Sequence, residues 1–239
     1  EISLGLVGSE MCIRDSIYGD WGNTLALARR AHAHGFDVEI LDYNPGDTFP
    51  DDVDIIIGGG GQDSGQTVIQ EDLHAIGAKL KKNAEDGMPM LVICGLYQLF
   101  GKEFRTHEGE TLKGINIFDA YTVGGNERLI GNIVEDSQEF GTIVGFENHS
   151  GLTYLGAGCE PLATVTKGVG NNSTDHHEGA RVHNVVGTYL HGSLLPKNPK
   201  ISDYLIEQAA KRKFGEFTPN TIDDSLVEKA RASAASRPR

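Results

Sequence analysis

Cysteine is scarce in this 239-residue chain: Cys12, Cys94 and Cys159, an odd number, widely spaced. That spacing excludes a disulfide framework and points to a reducing, cytoplasmic setting. There is no C-x-x-C and no His/Cys cluster of zinc-finger spacing, so no metal is expected; His176 and His177 sit in a polar run, 168–180, that reads as solvated. Positive charge is short, 21 Lys and Arg against 34 Asp and Glu, for a formal net charge of −13. A surface of that sign has no reason to bind nucleic acid or an anionic membrane. No apolar run approaches the roughly 18 residues of a membrane helix. Residues 2–7 are too short for a signal-peptide core and follow an acidic residue instead of a basic one. Proline is rare, 8 against 31 glycines, which makes the composition turn-rich and not disordered. No Gly-Lys-Ser/Thr follows any glycine loop, so the chain shows no ATP site of its own.

What is present is a succession of short apolar runs and amphipathic stretches. The length suits one domain with appendages: an unassigned segment 1–16, a domain over 17–215, and a tail over 216–239 with one short helix near 222–232. Within the first segment, 2–7 reads as a strand. The run SEMCIRDS (9–16) reads as foreign to the chain, which leaves Cys12 without a role. Residues 24–34 predict a helix stopped by Gly35, Val38 to Leu41 a strand, and 53–57 a third strand that runs into Gly58, Gly59, Gly60 and Gly61. A long helix spans 66–86. Alternating strand, helix, strand is the start of a mostly parallel, doubly wound α/β sheet. From 102 to 170 the pattern changes to short strands broken by glycine, at Ile115 to Phe118, Leu129 to Val134 and Thr142 to Phe146, which predict a small antiparallel addition.

Two places carry chemistry. Leu91, Val92 and Ile93 end at Cys94, and Gly95 to Phe100 then start a helix closed by Gly101. A thiol on such a strand-to-helix elbow is lifted clear of the sheet beside backbone N–H groups, which lower its pKa and can hold an oxyanion. Read on its own, Cys94 also fits a buried thiol packing as a small hydrophobe. The second place is the apolar run 185–190, directly followed by His191 and Gly192. Open α/β sheets put their sites at the carboxyl ends of strands. A cysteine and a histidine brought together there make an activated nucleophile for acyl transfer from an amide or ester. His149, in a polar turn, is the weaker candidate for the base.

Cys94-Gly-Leu-Tyr-Gln98 and Gly187-Thr-Tyr-Leu-His191-Gly192 resemble the motifs of the class I glutamine amidotransferases, cobyric-acid-synthase-like group. The pieces 17–23, 59–63, 127–132 and 146–151 are similar, in order, to those glutaminase subunits of the group that serve peptidoglycan synthesis. The resemblance implies an amidotransferase fold with a nucleophile elbow and hydrolysis of L-glutamine, without a cofactor. By the same resemblance Cys94 is the nucleophile and His191 the base, Arg128 holds the α-carboxylate, Gln98 lines the pocket, and Gly60 and Gly95 face the oxyanion. It also implies a heterodimer with a Mur-ligase-like, ATP-dependent partner of the MurT kind, which takes the ammonia to amidate the D-glutamate of the lipid II stem. Two positions depart from the pattern: Leu96 replaces a small residue, and Ser193 stands where many relatives carry an acid. A third triad member would come from elsewhere, Glu147 and Asp20 being the acids considered. Two other readings are a stand-alone cysteine hydrolase of the PfpI/DJ-1 kind and a non-catalytic subunit on the same fold. In the first of these the histidine often follows the cysteine directly; here Gly95 does.

Overall fold

The computed structural model describes residues 2–7, 21–59 and 63–238. In chain order its first half runs β1 (Ile2–Val7), α1 (Trp21–Ala33), β2 (Val38–Tyr43), β3 (Ile55–Gly58), α2 (Asp63–Glu85), β4 (Met90–Ile93) and α3 (Gly95–Phe100). The apolar runs make strands covered on both faces: every residue of β3 and β4 is buried. With β11 (Ala180–Val182) and β12 (Val185–Thr188) they form a six-stranded sheet of order β11-β12-β4-β3-β1-β2. All its pairs are parallel except β11 with β12. Neighbouring side chains go to opposite faces. Ile56, Met90, Val92 and Val185 pack with Tyr97, Phe100 and Phe118. Ile55, Ile57, Leu91, Ile93 and Val186 pack with Leu27 of α1 and with Leu205 of α4 (Pro199–Phe214).

Helix ends follow their local chemistry. α1 starts three residues before the predicted position and is followed by Gly35 at φ 92°. α4 opens with Pro199 after Asn198 and closes on Gly215 at φ 84°, the usual division of proline and glycine between helix ends. The tail helix α5 spans Ser225–Ser236 and buries no residue.

The second half is larger than the predicted small addition. It is a seven-stranded sheet built from β5 (Glu103–Arg105), β6 (Thr111–Lys113), β7 (Ala120–Ser137), β8 (Gly141–Leu155), β9 (Ala163–Lys167), β10 (His177–Glu178) and β13 (Leu190–His191). Its spine is the β7–β8 hairpin, antiparallel from Ala120↔Leu155 to Ser137↔Gly141 with an irregularity between Gly124 and Leu129. No strand forms at Ile115 to Phe118. That stretch instead turns its N–H groups onto the end of α3: Ile115 N donates to Leu99 O at 2.8 Å, and Ile117 N and Phe118 N donate to Phe100 O at 2.8 and 2.9 Å. The last carbonyls of a helix need such partners, and a six-residue helix ending in the core takes them from the nearest loop. The run 185–190 is likewise not one strand. β12 stops at Thr188, and Leu190–His191 pairs with Glu147 and Phe146 of β8 in the other sheet.

Gly187 lies at the crowded centre of β12. A Cβ there would sit 2.7 Å from Phe118 Cε2 and 2.8 Å from Tyr97 Cε2, both of buried rings. Gly187→Ala is expected to lose about 1–3 kcal/mol of stability by overpacking, read as a lower urea midpoint at unchanged slope.

Candidate active site

The site is built where β4 and β12 end side by side. Ile93 pairs with Thr188 in parallel register. The next residue, Cys94, turns sharply at φ 54° and ψ −112° and leads into α3. A non-glycine residue in that region carries backbone strain on the order of 1–3 kcal/mol and persists only if its surroundings hold it. Two backbone bonds do so: Cys94 N donates to Thr188 O at 2.9 Å, and Gln98 N donates to Cys94 O at 3.0 Å. Cys94 is half-buried and touches both core clusters. Gly95 follows as the first, buried residue of α3, whose opening N–H groups have no acceptor inside the helix. Leu96 is accommodated among the buried residues of the core. Gly60 and Asp20 lie outside the described residues, as does Cys12.

His191 is reached by a different path. From Thr188 the chain crosses to the second sheet in one residue, Tyr189, and His191 then pairs with Phe146 of β8. The imidazole is 1% exposed. The segment after it is anchored twice. Ser193, in a left-handed conformation at φ 52°, packs on Gly22, where a Cβ would come within 3.0 Å of the Ser193 Cβ. Asn23 Oδ1 accepts from Leu195 N at 2.9 Å. Asn198 then clamps β8, accepting from Val144 N at 3.0 Å and donating to Val144 O at 2.9 Å. Gly22 and Asn23, which fall in the piece 17–23 that carries the family resemblance, thus fix the loop that carries His191.

Tyr189 gathers the other expected site residues around its ring. Its hydroxyl meets Gln98 Nε2 at 3.1 Å and Thr153 Oγ1 at 2.7 Å, and Thr153 in turn meets Thr122 Oγ1 at 2.7 Å. Gln98 is therefore buried with its amide on Tyr189. His149 stacks on the opposite part of the ring, centroids 3.6 Å apart and planes 6° off parallel, with Nδ1 donating to Gly151 O at 2.8 Å. Burial holds the His149 imidazole down at about 3, helped by the charges of His191 and Arg128, so it is neutral at ordinary pH. Arg128 lies in the irregular stretch of β7, exposed, with Nε donating to Asn148 Oδ1 at 2.6 Å. Its charge and that of His191 both bear on His149, which lies in reach of the two.

Glu147 is fully buried opposite Leu190. Its carboxylate accepts from Val169 N at 3.1 Å and Gly170 N at 2.9 Å. The polar run 168–180 is only partly solvated: Asn171, Asn172 and Glu178 are fully buried and His176 is exposed. No group of three or more metal-ligating side chains occurs among the described residues, and no described helix is long and apolar enough to cross a membrane. The Cys159 thiol, far along the chain, is pushed up to about 11 by burial.

A half-buried thiol thus stands on a strained elbow at a helix start, and a buried imidazole lies three residues beyond the end of the strand that adjoins it. Solved structures share this fold. A glutamine amidotransferase crystal structure superposes with TM-score 0.61 over 87% of this chain and 98% of its own, at 17% identity. PurLQS from Thermotoga maritima gives 0.58 over 87% and 97%, at 15% identity. Residues 11–199 match the family model of the CobB/CobQ-like glutamine amidotransferase domain, and the chain belongs to that family. Among curated relatives, it is 46% identical to the lipid II isoglutaminyl synthase (glutamine-hydrolyzing) subunit GatD of Staphylococcus aureus, over 90% of this chain and 88% of that one. The subunit of the same name from Streptococcus pneumoniae is 36% identical over 83% and 78%. A probable cobyric acid synthase of Methanocaldococcus jannaschii is 29% identical over 74% of this chain but 39% of that one.

His149 makes a pH prediction. Its folded value lies below its ordinary 6.5, so the unfolded chain binds the proton more tightly. Its share of stability is full above about 6.5 and falls by about 1.4 kcal/mol per unit as pH drops toward 3. His149→Phe, which keeps a ring against Tyr189, is expected to narrow the stability gap between pH 7.5 and 4.5 by about 3 kcal/mol at most, measured by urea unfolding at both values.

Proposed function

We propose that this chain is the glutaminase subunit of a lipid II isoglutaminyl synthase. The observation that carries the reading is the strained Cys94 elbow, bonded through its own N–H to the strand that leads to His191. The 46% identity to a GatD subunit over nine-tenths of the chain supports the choice of reaction.

In this mechanism the Cys94 sulfur attacks the side-chain carboxamide carbon of L-glutamine while His191 takes the thiol proton. The N–H of Gly95, with that of Gly60, receives the charge developing on the carboxamide oxygen. His191 returns the proton to the departing nitrogen, and ammonia leaves behind a thioester on Cys94. Water, deprotonated by His191, then releases glutamate and restores the thiol. Arg128 holds the α-carboxylate of the substrate, and Gln98 with Tyr189 closes the pocket wall. His149, stacked and neutral, stays out of the proton path. The ammonia passes to a Mur-ligase-like, ATP-dependent partner that amidates the D-glutamate of the lipid II stem. The chain lacks a Gly-Lys-Ser/Thr loop with which to run that step itself.

The test is a reconstitution. The chain, a Mur-ligase-like partner, ATP, magnesium, L-glutamine and lipid II are expected to yield D-isoglutaminyl lipid II by mass spectrometry, with glutamate released in step. Acceptor amidation by the chain alone with ATP would overturn the reading, as would failure of every such partner to support it. In the complex, Cys94→Ala is expected to abolish glutamine hydrolysis. His191→Ala should lower kcat by on the order of a hundredfold or more, and His149→Ala by much less. Arg128→Ala should act on saturation, raising KM for glutamine by about tenfold or more with a smaller change in kcat.

A further inference from the structure

Thr188 is the last residue shared by the two halves of the site. Its carbonyl accepts the N–H of Cys94. Its hydroxyl faces the other way and makes three contacts. It donates to Glu178, 3.0 Å from Oε1 and 3.1 Å from Oε2, and it accepts from Leu190 N at 3.0 Å. Glu178 Oε1 also accepts the N–H of Tyr189 at 2.7 Å. One carboxylate thus holds both the side chain and the following peptide of the residue where the chain leaves one sheet for the other. Glu178 and Thr188 are both 0% exposed.

Burying a carboxylate costs several kcal/mol unless its partners are well placed. Burial pushes Glu178 up, and the Tyr189 N–H and the Thr188 hydroxyl pull it back down. Glu135 and Glu147, also fully buried, oppose its charge. Core packing alone gives no reason for an acid at this position, since a well-packed apolar side chain would cost less. A reason exists if the acid fixes the Thr188–Tyr189 peptide, because that peptide sets where Cys94 and His191 stand relative to each other.

We infer that Glu178 is a positioning residue for the Cys94–His191 pair, acting through Thr188 and the Tyr189 N–H. The inference rests on the glutaminase reading for its kinetic readout only. Its basis is distinct from the acid two residues after the histidine that relatives carry, a place held here by Ser193.

The experiment uses the full chain in complex with its partner and three variants: Thr188→Val, Glu178→Ala and Glu178→Gln. Thr188→Val keeps shape and the carbonyl bond to Cys94 and removes only the hydroxyl. It is expected to lower kcat for glutamine hydrolysis by about tenfold or more with KM changed by less than about threefold, as misplacement of a catalytic pair does. Glu178→Ala, which also frees the Tyr189 N–H, should lower kcat at least as much, and the double variant little further than Glu178→Ala, because the two share the Thr188–Glu178 link. Glu178→Gln keeps an oxygen for the Tyr189 N–H and the Thr188 hydroxyl and should recover most of the lost kcat. Iodoacetamide labelling of Cys94, followed by peptide mass spectrometry, supplies a readout independent of glutamine: it should slow in Thr188→Val and recover in Glu178→Gln. If Glu178→Ala does not fold, Thr188→Val and Glu178→Gln still decide. Folded Thr188→Val with wild-type kcat and wild-type labelling would overturn the inference. A wild-type complex that labels at Cys94 but hydrolyses no glutamine overturns the glutaminase reading instead; the inference then stands or falls on the labelling rates.

Discussion

One backbone hydrogen bond, from Cys94 N to Thr188 O, joins everything the site needs. Up to that bond β4 and β12 are ordinary neighbours in a parallel sheet. Beyond it the two chains separate: one turns through a strained residue into a helix, the other crosses into the second sheet. The strain at Cys94 is local, but what sustains it is not. β3 and β12 flank β4 and are buried throughout, so the strand cannot shift to relax its last residue. A close-packed interior transmits such constraints because it has no voids in which to dissipate them. The Cys94 elbow is held up by the sheet beneath it.

The second sheet acts on the histidine. His191 comes from a two-residue strand, which by itself would have little reason to hold position. It is held because its neighbours on every side are committed. β8 pairs with it, and Leu190 fills the space above Gly145, where a Cβ would sit 2.8 Å from the leucine. The Tyr189 hydroxyl is bound by Gln98 and Thr153. Each of these polar groups is buried, and a buried polar group that loses its partner pays its full desolvation penalty. Displacing the Tyr189 ring would break two such bonds at once and unstack His149. The network is therefore stiff, and the stiffness comes from desolvation more than from the number of bonds.

This division explains what the sequence could and could not say. Parallel strands buried on both faces are continuous apolar runs, so β3 and β4 were legible, and a run that ends in Cys-Gly before a helical stretch marks an elbow. Gly35 marked a helix end because its signal acts within a few residues. The misread places all depend on partners ten or more residues away, beyond the reach of a local pattern. Ile115 to Phe118 has strand composition, but the carbonyls of α3 claim its N–H groups first. The run 185–190 looks like one strand, yet β4 takes its first half and β8 its end. Glu178 sits in a polar run that reads as solvent-facing, and nothing within ten residues on its N-terminal side reveals that its partners are Thr188 and Tyr189. Gln98 and Arg128 came from a family resemblance, which supplies residues without supplying the contacts that hold them.

The burial of the site is uneven, and the unevenness gives it a direction. His191, Gln98 and Tyr189 are closed off, Cys94 is half-buried, and Arg128 is exposed. On the proposed glutaminase reading, a small substrate meets the guanidinium first and the imidazole last. Arg128 Nε is committed to Asn148 Oδ1, which fixes the side chain at that nitrogen. Anchoring one end of glutamine at the rim leaves its carboxamide to reach inward toward the thiol. The substrate then completes the enclosure, covering the half-exposed sulfur as it binds. Electrostatic interactions strengthen as water leaves, so the pair formed by thiolate and imidazolium gains most when the pocket is filled.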